Sequence, residues 1–244
     1  MRYSRRLAEE YGLSVRMAKR YIKEGMMLLD GQVMKKDLDS DEGVLELTAE
    51  TKRPEVDPND YLIREFDHLA FFDKPAGMHT DLQKPDDPIT VEDIVKTYNP
   101  EYQLISRLDY TTDGVICAIR YGFFVFDTKK VYLAYVHGQM KDSVTMDNLI
   151  DADKKKKVKV LDKPGGHKTI FTPMEISENH TLVKAEMENA SRHQLRAYLA
   201  YLGHPIIGDN LYGEDTTGRI MLHCKETYVN KFPGISNLTE DFKL

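Results

Sequence analysis

The first residues suited to chemistry lie in the segment YQLISRLDYTTDGVICAI, where Arg107 and Asp109 fall between two apolar runs of strand character. Loops held at both ends by rigid strands often carry functional side chains. Asp109 is therefore a candidate for a reacting or binding carboxylate. Spacing alone leaves open the alternative that Asp109 only closes an Asx-turn with a following backbone N–H.

The second candidate is Arg196, in the helical segment SRHQLRAYLAYLGHP. An apolar stripe at helical spacing should face the core, formed by Leu195, Tyr198, Leu199 and Leu202. His193 and Arg196 lie on the opposite face, so the Arg196 guanidinium should point away from that core and can pair bidentately with a carboxylate. A surface salt bridge is the alternative. Ser191 with Gln194 predicts a capping box at the start of this helix, and Gly203 predicts its end.

A third candidate is Tyr132, in the strand-like run KKVYLAYVHG. Alternation places Tyr132, Ala134 and Val136 on one face of the strand. A tyrosine in this position is usually a packing residue, so the strand by itself assigns Tyr132 no chemical role.

Several other chemistries lack their motifs. The chain contains no H-E-x-x-H, C-x-x-C, G-x-S-x-G or P-loop sequence. Cys117 and Cys224 are too few and too far apart for a disulfide framework or a zinc knuckle, so we expect buried, reduced thiols. The start, MRYSRRLAEEYG, has no hydrophobic leader, and no apolar run of 18 residues follows. We therefore expect a cytoplasmic protein.

The body of the chain is predicted to be rich in strands. From Tyr61 onward, short apolar runs alternate with turn residues, as in HLAFF, VICAI, VYLAYV and TLVKAEM. Residues 51–60, which include two prolines and have no apolar periodicity, are predicted to be a linker. The linker would separate a domain over 61–244 from a unit over 1–50.

The first fifty residues predict two helices and a hairpin. One helix should end at Gly12, and Ser14 is a plausible N-cap for the next, whose apolar face is Met17, Ala18, Tyr21 and Ile22. After Gly25 stops this helix, the Asp30-Gly31 pair between apolar runs predicts a tight hairpin. The opposite face of the second helix is basic, formed by Arg16, Lys19, Arg20 and Lys23.

Charge is distributed unevenly along the chain. Residues 1–36 contain nine Lys and Arg against four Asp and Glu, a net charge of +5. Since the whole chain carries −6, the other 208 residues carry −11. A basic segment on an acidic body suggests a nucleic-acid-binding module, although a solvated basic helix face would look the same.

The N-terminal order of elements resembles an S4-like RNA-binding domain. In GLSVRMAKRYIKEGMMLLDGQV, a GLSR-like helix start, an EG pair and a V-x-G-x-x-V-like hairpin follow one another as in that domain.

The rest of the chain resembles the RluA-type RNA pseudouridine synthases. SRLDYTTDG is similar to their catalytic loop H-R-L-D-x-x-T-S-G, and KVYLAYVHG matches K-x-Y-x-A-x-V-x-G. ASRHQLRAYLAYLGHPIIGDNLYG follows their long third motif, while DKPAGM and MLHC resemble two shorter ones. The resemblance covers nearly all of residues 61–244. It implies an α+β fold with a mixed, largely antiparallel sheet, beside the small α/β S4-like domain.

The resemblance also implies a reaction and its residues. Enzymes of this family isomerise uridine in RNA to pseudouridine without a cofactor or a metal. Asp109 would be the essential carboxylate, acting either as a nucleophile on the sugar or as a base that removes a sugar proton. Tyr132 would stack on the target base, and Arg196 would pair with Asp109 and favour its ionised form. RNA contacts are assigned to Arg107, Lys130 and His193, together with the basic face of the second helix.

Departures from the family pattern concern recognition more than chemistry. Ser106 and Asp113 replace the usual His and Ser, Ser191 and Arg192 replace an Arg-Thr pair, and the span from Arg120 to Lys130 is short. Two other classes stay open: a catalytically inactive RNA-binding or ribosome-assembly protein on the same fold, and a small-molecule enzyme, for which no cofactor motif exists. Ribosomal RNA is the favoured partner, with transfer RNA as the alternative, and we expect a monomer.

Overall fold

The computed structural model describes residues 1–13, 15–48, 55–83, 88–153, 156–215 and 218–243. They form two compact units. The smaller comprises Met1–Val56 and Asp81–Asp93, and we call it the N-terminal unit. The larger comprises Asp57–Thr80 and Ile94–Leu244, and we call it the large unit.

The N-terminal unit contains a pair of helices and a small sheet. Its elements are α1 (Tyr3–Tyr11), α2 (Val15–Glu24), β1 (Met27–Leu29), β2 (Gln32–Met34) and β3 (Leu45–Leu47). Burial confirms the predicted apolar face of α2, formed by Met17, Ala18, Tyr21 and Ile22. Gly12 ends α1 in the left-handed region at φ 64°, also as predicted. The predicted N-cap Ser14 lies outside the described residues.

The predicted hairpin is confirmed at Asp30 and Gly31. Both have positive φ, 50° and 76°, as a two-residue type I′ turn requires. Leu29 and Gln32 are therefore paired directly across β1 and β2, and β3 pairs with the other edge of β1.

The large unit contains most of the strands. Its elements are, in chain order, β4 (Leu62–Phe66), β5 (Leu69–Lys74), α3 (Val91–Tyr98), β6 (Tyr102–Leu104), β7 (Asp113–Arg120), β8 (Thr128–His137), β9 (Val144–Asp151), β10 (Lys159–Ile176), β11 (His180–Met187), α4 (Gln194–Tyr201), β12 (Leu222–Val229) and β13 (Phe232–Ile235). The sequence boundary between the two units falls within α3. Within the predicted linker 51–60, Pro58–Asp60 form a 3₁₀ turn that Asp57 caps. Residues 51–54 lie outside the described part.

One sheet organises the large unit, in the order β4-β5-β7-β12-β8-β11-β10-β9, with β6 beside β7 and β13 beside β12. Every pairing is antiparallel except that of β7 with β12. The predicted α+β class with a largely antiparallel sheet is therefore confirmed. No helix among the described residues is long and apolar enough to cross a bilayer.

One of the core clusters of the large unit lies between α4 and the sheet. Leu195, Tyr198 and Leu199 are buried among β8 and β11 side chains, as the helical spacing predicts. The predicted helix start was wrong, because α4 begins at Gln194 and its N-cap is His193, at φ 57° and without a side-chain cap. Only half of the capping box forms, in which the Ser191 N–H donates to Gln194 Oε1 at 2.8 Å.

Both cysteines are buried and free, as predicted. Burial raises the pKa of Cys117 to about 12, so this thiol stays protonated at neutral pH. Cys224 lies in β12, where it pairs with Tyr132 of β8.

Candidate active site

The Asp109 loop is held by main-chain contacts on both sides. Before Asp109, Leu108 is buried and its N–H and carbonyl both bond to Thr80 Oγ1, at 3.2 and 2.9 Å. After Asp109, the Thr112 N–H donates to the Asp109 carbonyl at 3.1 Å and closes a turn. The loop is therefore closed by its backbone, while the Asp109 carboxylate contacts Arg196 and His193. These contacts argue against the Asx-turn alternative.

A buried lysine donates hydrogen bonds to the backbone of the same loop. Lys74, at the end of β5, is 1% exposed. Its ammonium donates to the carbonyls of Pro75, Tyr110 and Thr112, at 3.0, 3.3 and 2.6 Å. Burial lowers the pKa of Lys74 to about 8, although the charges of Asp113 and Asp109 oppose the shift. The Lys74 ammonium thus donates to three carbonyls, and two of them, those of Tyr110 and Thr112, fix the backbone just after Asp109.

Arg196 is buried between two carboxylates. Its Nε and Nη2 donate to the two oxygens of Asp209, each at 2.7 Å, and its Nη1 donates to Asp109 Oδ2 at 3.1 Å. The Arg196 side chain is 9% exposed, so the surface salt-bridge alternative is wrong. The predicted bidentate pairing with a carboxylate is confirmed, with Asp209 as the partner. Packing of α4 against the loop that carries Asp209 encloses the guanidinium.

Asp209 is the residue that the sequence reasoning missed. Burial alone would raise its pKa, but the hydrogen bonds and charge of Arg196, with the N–H groups of Leu211 and Tyr212, lower it below the ordinary value. Asp209 follows Gly208 in the segment GHPIIGDNLYG. Gly208 has φ 79°, and a Cβ there would clash with the Arg219 carbonyl, so a glycine is needed to turn Asp209 inward.

Tyr132 is positioned by three adjacent strands. It pairs with Cys224 of β12, which in turn pairs with Gly114 of β7, just after the Asp109 loop. A Cβ on Gly114 would clash with the Cys224 backbone, so the close approach of β7 to β12 depends on glycine. Burial, then Cys224 and the charge of Asp109, raise the pKa of Tyr132 well above its usual value. The hydroxyl is therefore protonated at neutral pH.

The residues assigned to RNA contact occupy different surroundings. In the large unit, Arg107 is exposed, Lys130 is half-buried two residues before Tyr132, and His193 Nε2 lies 3.8 Å from Asp109 Oδ1. Asp109, Arg196 and His193 are thus brought together, with Tyr132 close enough for its hydroxyl to respond to the Asp109 charge.

The four α2 cations belong to the N-terminal unit. Lys19 and Lys23 are exposed. Arg16 donates to Gln83 Oε1 at 3.3 Å, while Arg20 bonds to the Gln83 carbonyl and to Glu24, the latter at 3.0 Å. The predicted basic face is present, and two of its members are held by neighbouring side chains and backbone.

Asp113, which replaces the serine of the family pattern, contacts two basic side chains. Asp113 is 3% exposed, and its Oδ2 lies 2.9 Å from His223 Nδ1 and 2.7 Å from Arg219 Nη2. Burial would raise the pKa of Asp113, but His223 and Arg219 lower it below the ordinary value. Among the described residues, no cluster of three or more His, Cys, Asp or Glu side chains could hold a metal ion.

Comparisons with known proteins agree with this fold. The human protein "RNA Pseudouridylate Synthase Domain Containing 1" superposes with a TM-score of 0.60 at 19% identity, covering 78% of this chain and 87% of its own. The large unit thus has the pseudouridine synthase fold. The family model for RNA pseudouridylate synthase matches residues 68–201.

Two curated relatives extend the match. The dual-specificity RNA pseudouridine synthase RluA of Vibrio cholerae is 30% identical over 194 residues, which are 71% of this chain and 78% of the relative. The ribosomal large subunit pseudouridine synthase D of Xanthomonas campestris is 28% identical over 218 residues, 79% of this chain but 65% of the relative. This chain belongs to the RNA pseudouridylate synthase family.

Proposed function

We propose that this protein isomerises uridine to pseudouridine in structured RNA, with ribosomal RNA as the substrate. The observation that carries the proposal is the Asp109 carboxylate, 30% exposed and bonded through one oxygen to a buried arginine. This carboxylate is reachable by a nucleotide, while Arg196 fixes its direction. Family membership supports the reaction, and relatives named as ribosomal large subunit synthases support the substrate.

The geometry divides the work among three residues. Asp109 acts on the sugar of an extruded nucleotide, as nucleophile or as base, and either route needs an ionised carboxylate. Arg196 holds the carboxylate in place through a charge-assisted hydrogen bond at 3.1 Å. The Tyr132 ring offers a flat surface beside the flipped base, which is the usual arrangement in enzymes that modify bases. The C1′–N1 bond of uridine breaks and a C1′–C5 bond forms, while C5 releases its proton and N1 takes up a proton from solvent.

Residues 1–50 act as an S4-like RNA-binding domain joined by the linker 51–60 to the catalytic domain 61–244. The support is a helix pair with a hairpin, and a net charge of +5 over residues 1–36. Lys19 and Lys23 are exposed on α2 and are suited to phosphate contacts. Arg107, Lys130 and His193 would contact the RNA closer to the reacting base. The protein works as a monomer, which light scattering tests. It acts in the cytoplasm, which cell fractionation tests.

The test of the activity uses RNA labelled with tritium at C5 of uridine. Transcripts of ribosomal RNA domains should release tritium with the purified chain, whereas transfer RNA should not. Asp109→Asn should release none while keeping the folded state and RNA affinity of the wild type. Carbodiimide primer extension then locates the modified uridine. Release from no RNA, or equal release by Asp109→Asn after deamidation is excluded, would favour the alternative of a non-catalytic RNA-binding protein.

A further inference from the structure

Tyr212 connects a buried backbone N–H to the side chain that faces the Asp109 carboxylate. Its hydroxyl oxygen accepts from the Val158 N–H at 2.8 Å and lies 3.1 Å from His193 Nδ1. The Tyr212 side chain is 8% exposed, and its ring lies against the Arg196 guanidinium at 5.3 Å. Neither Tyr212 nor Val158 carries a role in the reaction described above.

Hydrogen-bond accounting assigns the protons in this chain of contacts. A backbone N–H can only donate, so the Tyr212 oxygen is the acceptor toward Val158. The hydroxyl has one proton, and among the described residues His193 Nδ1 is the acceptor placed to receive it, at 3.1 Å. A neutral imidazole whose Nδ1 accepts must carry its proton on Nε2. Nε2 is the nitrogen that faces Asp109 Oδ1, at 3.8 Å.

We propose that Tyr212 is a positioning residue that holds His193 in the Nε2-protonated tautomer, so that an N–H rather than a lone pair faces Asp109. The other tautomer would bring a nitrogen lone pair toward a carboxylate oxygen, which is repulsive. At 3.8 Å the contact is longer than a hydrogen bond, and such contacts in free enzymes often shorten when the substrate binds. The inference rests on the proposed function only for its effect on turnover.

Two further observations support a functional contact between His193 and Asp109. His193 is not glycine, yet its backbone has φ 57°, a conformation that persists where the surrounding structure over-determines it and that clusters at functional sites. Charged groups surround the ring: Asp109 and Asp209 favour the imidazolium, while Arg196 and Arg192 oppose it. Burial is the largest influence and lowers the pKa of His193, so the imidazole is neutral at pH 7 and its tautomer is defined.

The direct test is the tautomer in the full chain labelled with ¹⁵N-histidine. Long-range ¹H–¹⁵N correlation should show a protonated Nε2 and an unprotonated Nδ1 for His193 at neutral pH. The resonance is assigned by its loss in His193→Gln, or by contacts to the Tyr212 ring, whose centroid lies 5.8 Å from that of the imidazole. A protonated Nδ1 in the neutral ring would overturn the inference, whether or not the protein shows activity on RNA.

The kinetic test uses Tyr212→Phe, which keeps the ring and removes the hydroxyl. Turnover should fall about threefold to tenfold, the effect of one hydrogen bond, while KM for RNA changes less than twofold. The histidine spectrum should change toward a mixture of tautomers. Tyr135→Phe, a half-buried tyrosine on the other face of β8 from Tyr132, is the matched control and should leave both readouts unchanged.

A double-mutant cycle separates positioning from general packing. If Tyr212 acts through His193, Tyr212→Phe should cost nothing further in a His193→Gln background. Additive losses, or a KM effect in place of a kcat effect, would contradict the inference. If the tautomer is as expected but no RNA is turned over, the proposed function fails while the assignment of Tyr212 stands.

Discussion

Arg196→Ala would remove the side chain on which two carboxylates depend. The guanidinium makes three charge-assisted hydrogen bonds, two to Asp209 and one to Asp109. Asp209 has a side chain with no exposed surface, whereas 30% of the Asp109 side chain is exposed. The substitution should therefore harm stability through Asp209 and activity through Asp109.

The two effects have different sizes. Leaving Asp209 as an unpaired buried charge should cost about 3–5 kcal/mol of unfolding free energy. For a domain of this size that is a fall of roughly 6–20 °C in Tm. The 3.1 Å bond to Asp109 is a hydrogen bond between charged groups, worth about 1.5–3 kcal/mol. Its loss at the proposed catalytic carboxylate should lower kcat by roughly 10-fold to 150-fold.

The assays are calorimetry and tritium release, the latter at a temperature where the variant is folded. Arg192→Ala is the stability control, because Arg192 is exposed and donates to the Ala152 carbonyl at 3.2 Å. We expect it to cost at most about 1 kcal/mol. Arg196→Lys should stay below the wild type in both assays, since an ammonium cannot reproduce the bidentate fork. A Tm of Arg196→Ala within about 2 °C of the wild type would refute the reasoning.

Three further predictions concern Tyr132, α2 and acid stability. Tyr132→Phe should keep RNA affinity, measured by filter binding, because the stacking face persists. A comparison of kcat between this variant and the wild type checks whether the protonated hydroxyl contributes to turnover. Equal kcat values would reduce Tyr132 to a stacking surface. Replacing Lys19 and Lys23 by Gln should flatten the log–log salt dependence of RNA binding by about two units, and an unchanged slope would remove α2 from the interface. Because the folded-state pKa of Asp209 is lowered, its contribution to stability is present above the ordinary carboxyl pKa and is lost as pH falls through the folded value. Asp209→Asn should lose that part of the acid dependence of unfolding, and an unaltered pH curve would contradict the pairing.

Local patterns predicted the elements of this fold that depend on neighbouring residues. The Asp30-Gly31 pair marks the β1–β2 turn because few residues tolerate two consecutive positive φ values. Alternation in β8 places Tyr132 and Ala134 on the buried face, as the structure shows. Such features follow from periods of two and 3.6 residues, which the chain displays without any knowledge of its tertiary contacts.

The start of α4 and the partner of Arg196 were outside the reach of local patterns. His193 adopts a left-handed conformation that its own residue type disfavours, so only tertiary contacts explain why α4 begins at Gln194 rather than near Ser191. Asp209 follows Arg196 by 13 residues in a loop without periodicity. Its role depends on where that loop packs, and spacing along the chain does not encode such a contact.

Asp209 also explains why Arg196 binds only one oxygen of Asp109. An arginine buried with a single carboxylate would satisfy its charge by a bidentate pair, and that pair would occupy both oxygens of the carboxylate. Here Asp209 takes Nε and Nη2, and only Nη1 is left for Asp109. Asp109 therefore keeps Oδ1 free of Arg196, with the His193 ring as its neighbour at 3.8 Å. The buried carboxylate fixes the arginine, and Asp109, whose side chain is 30% exposed, gains direction and charge compensation while its Oδ1 stays outside the ion pair.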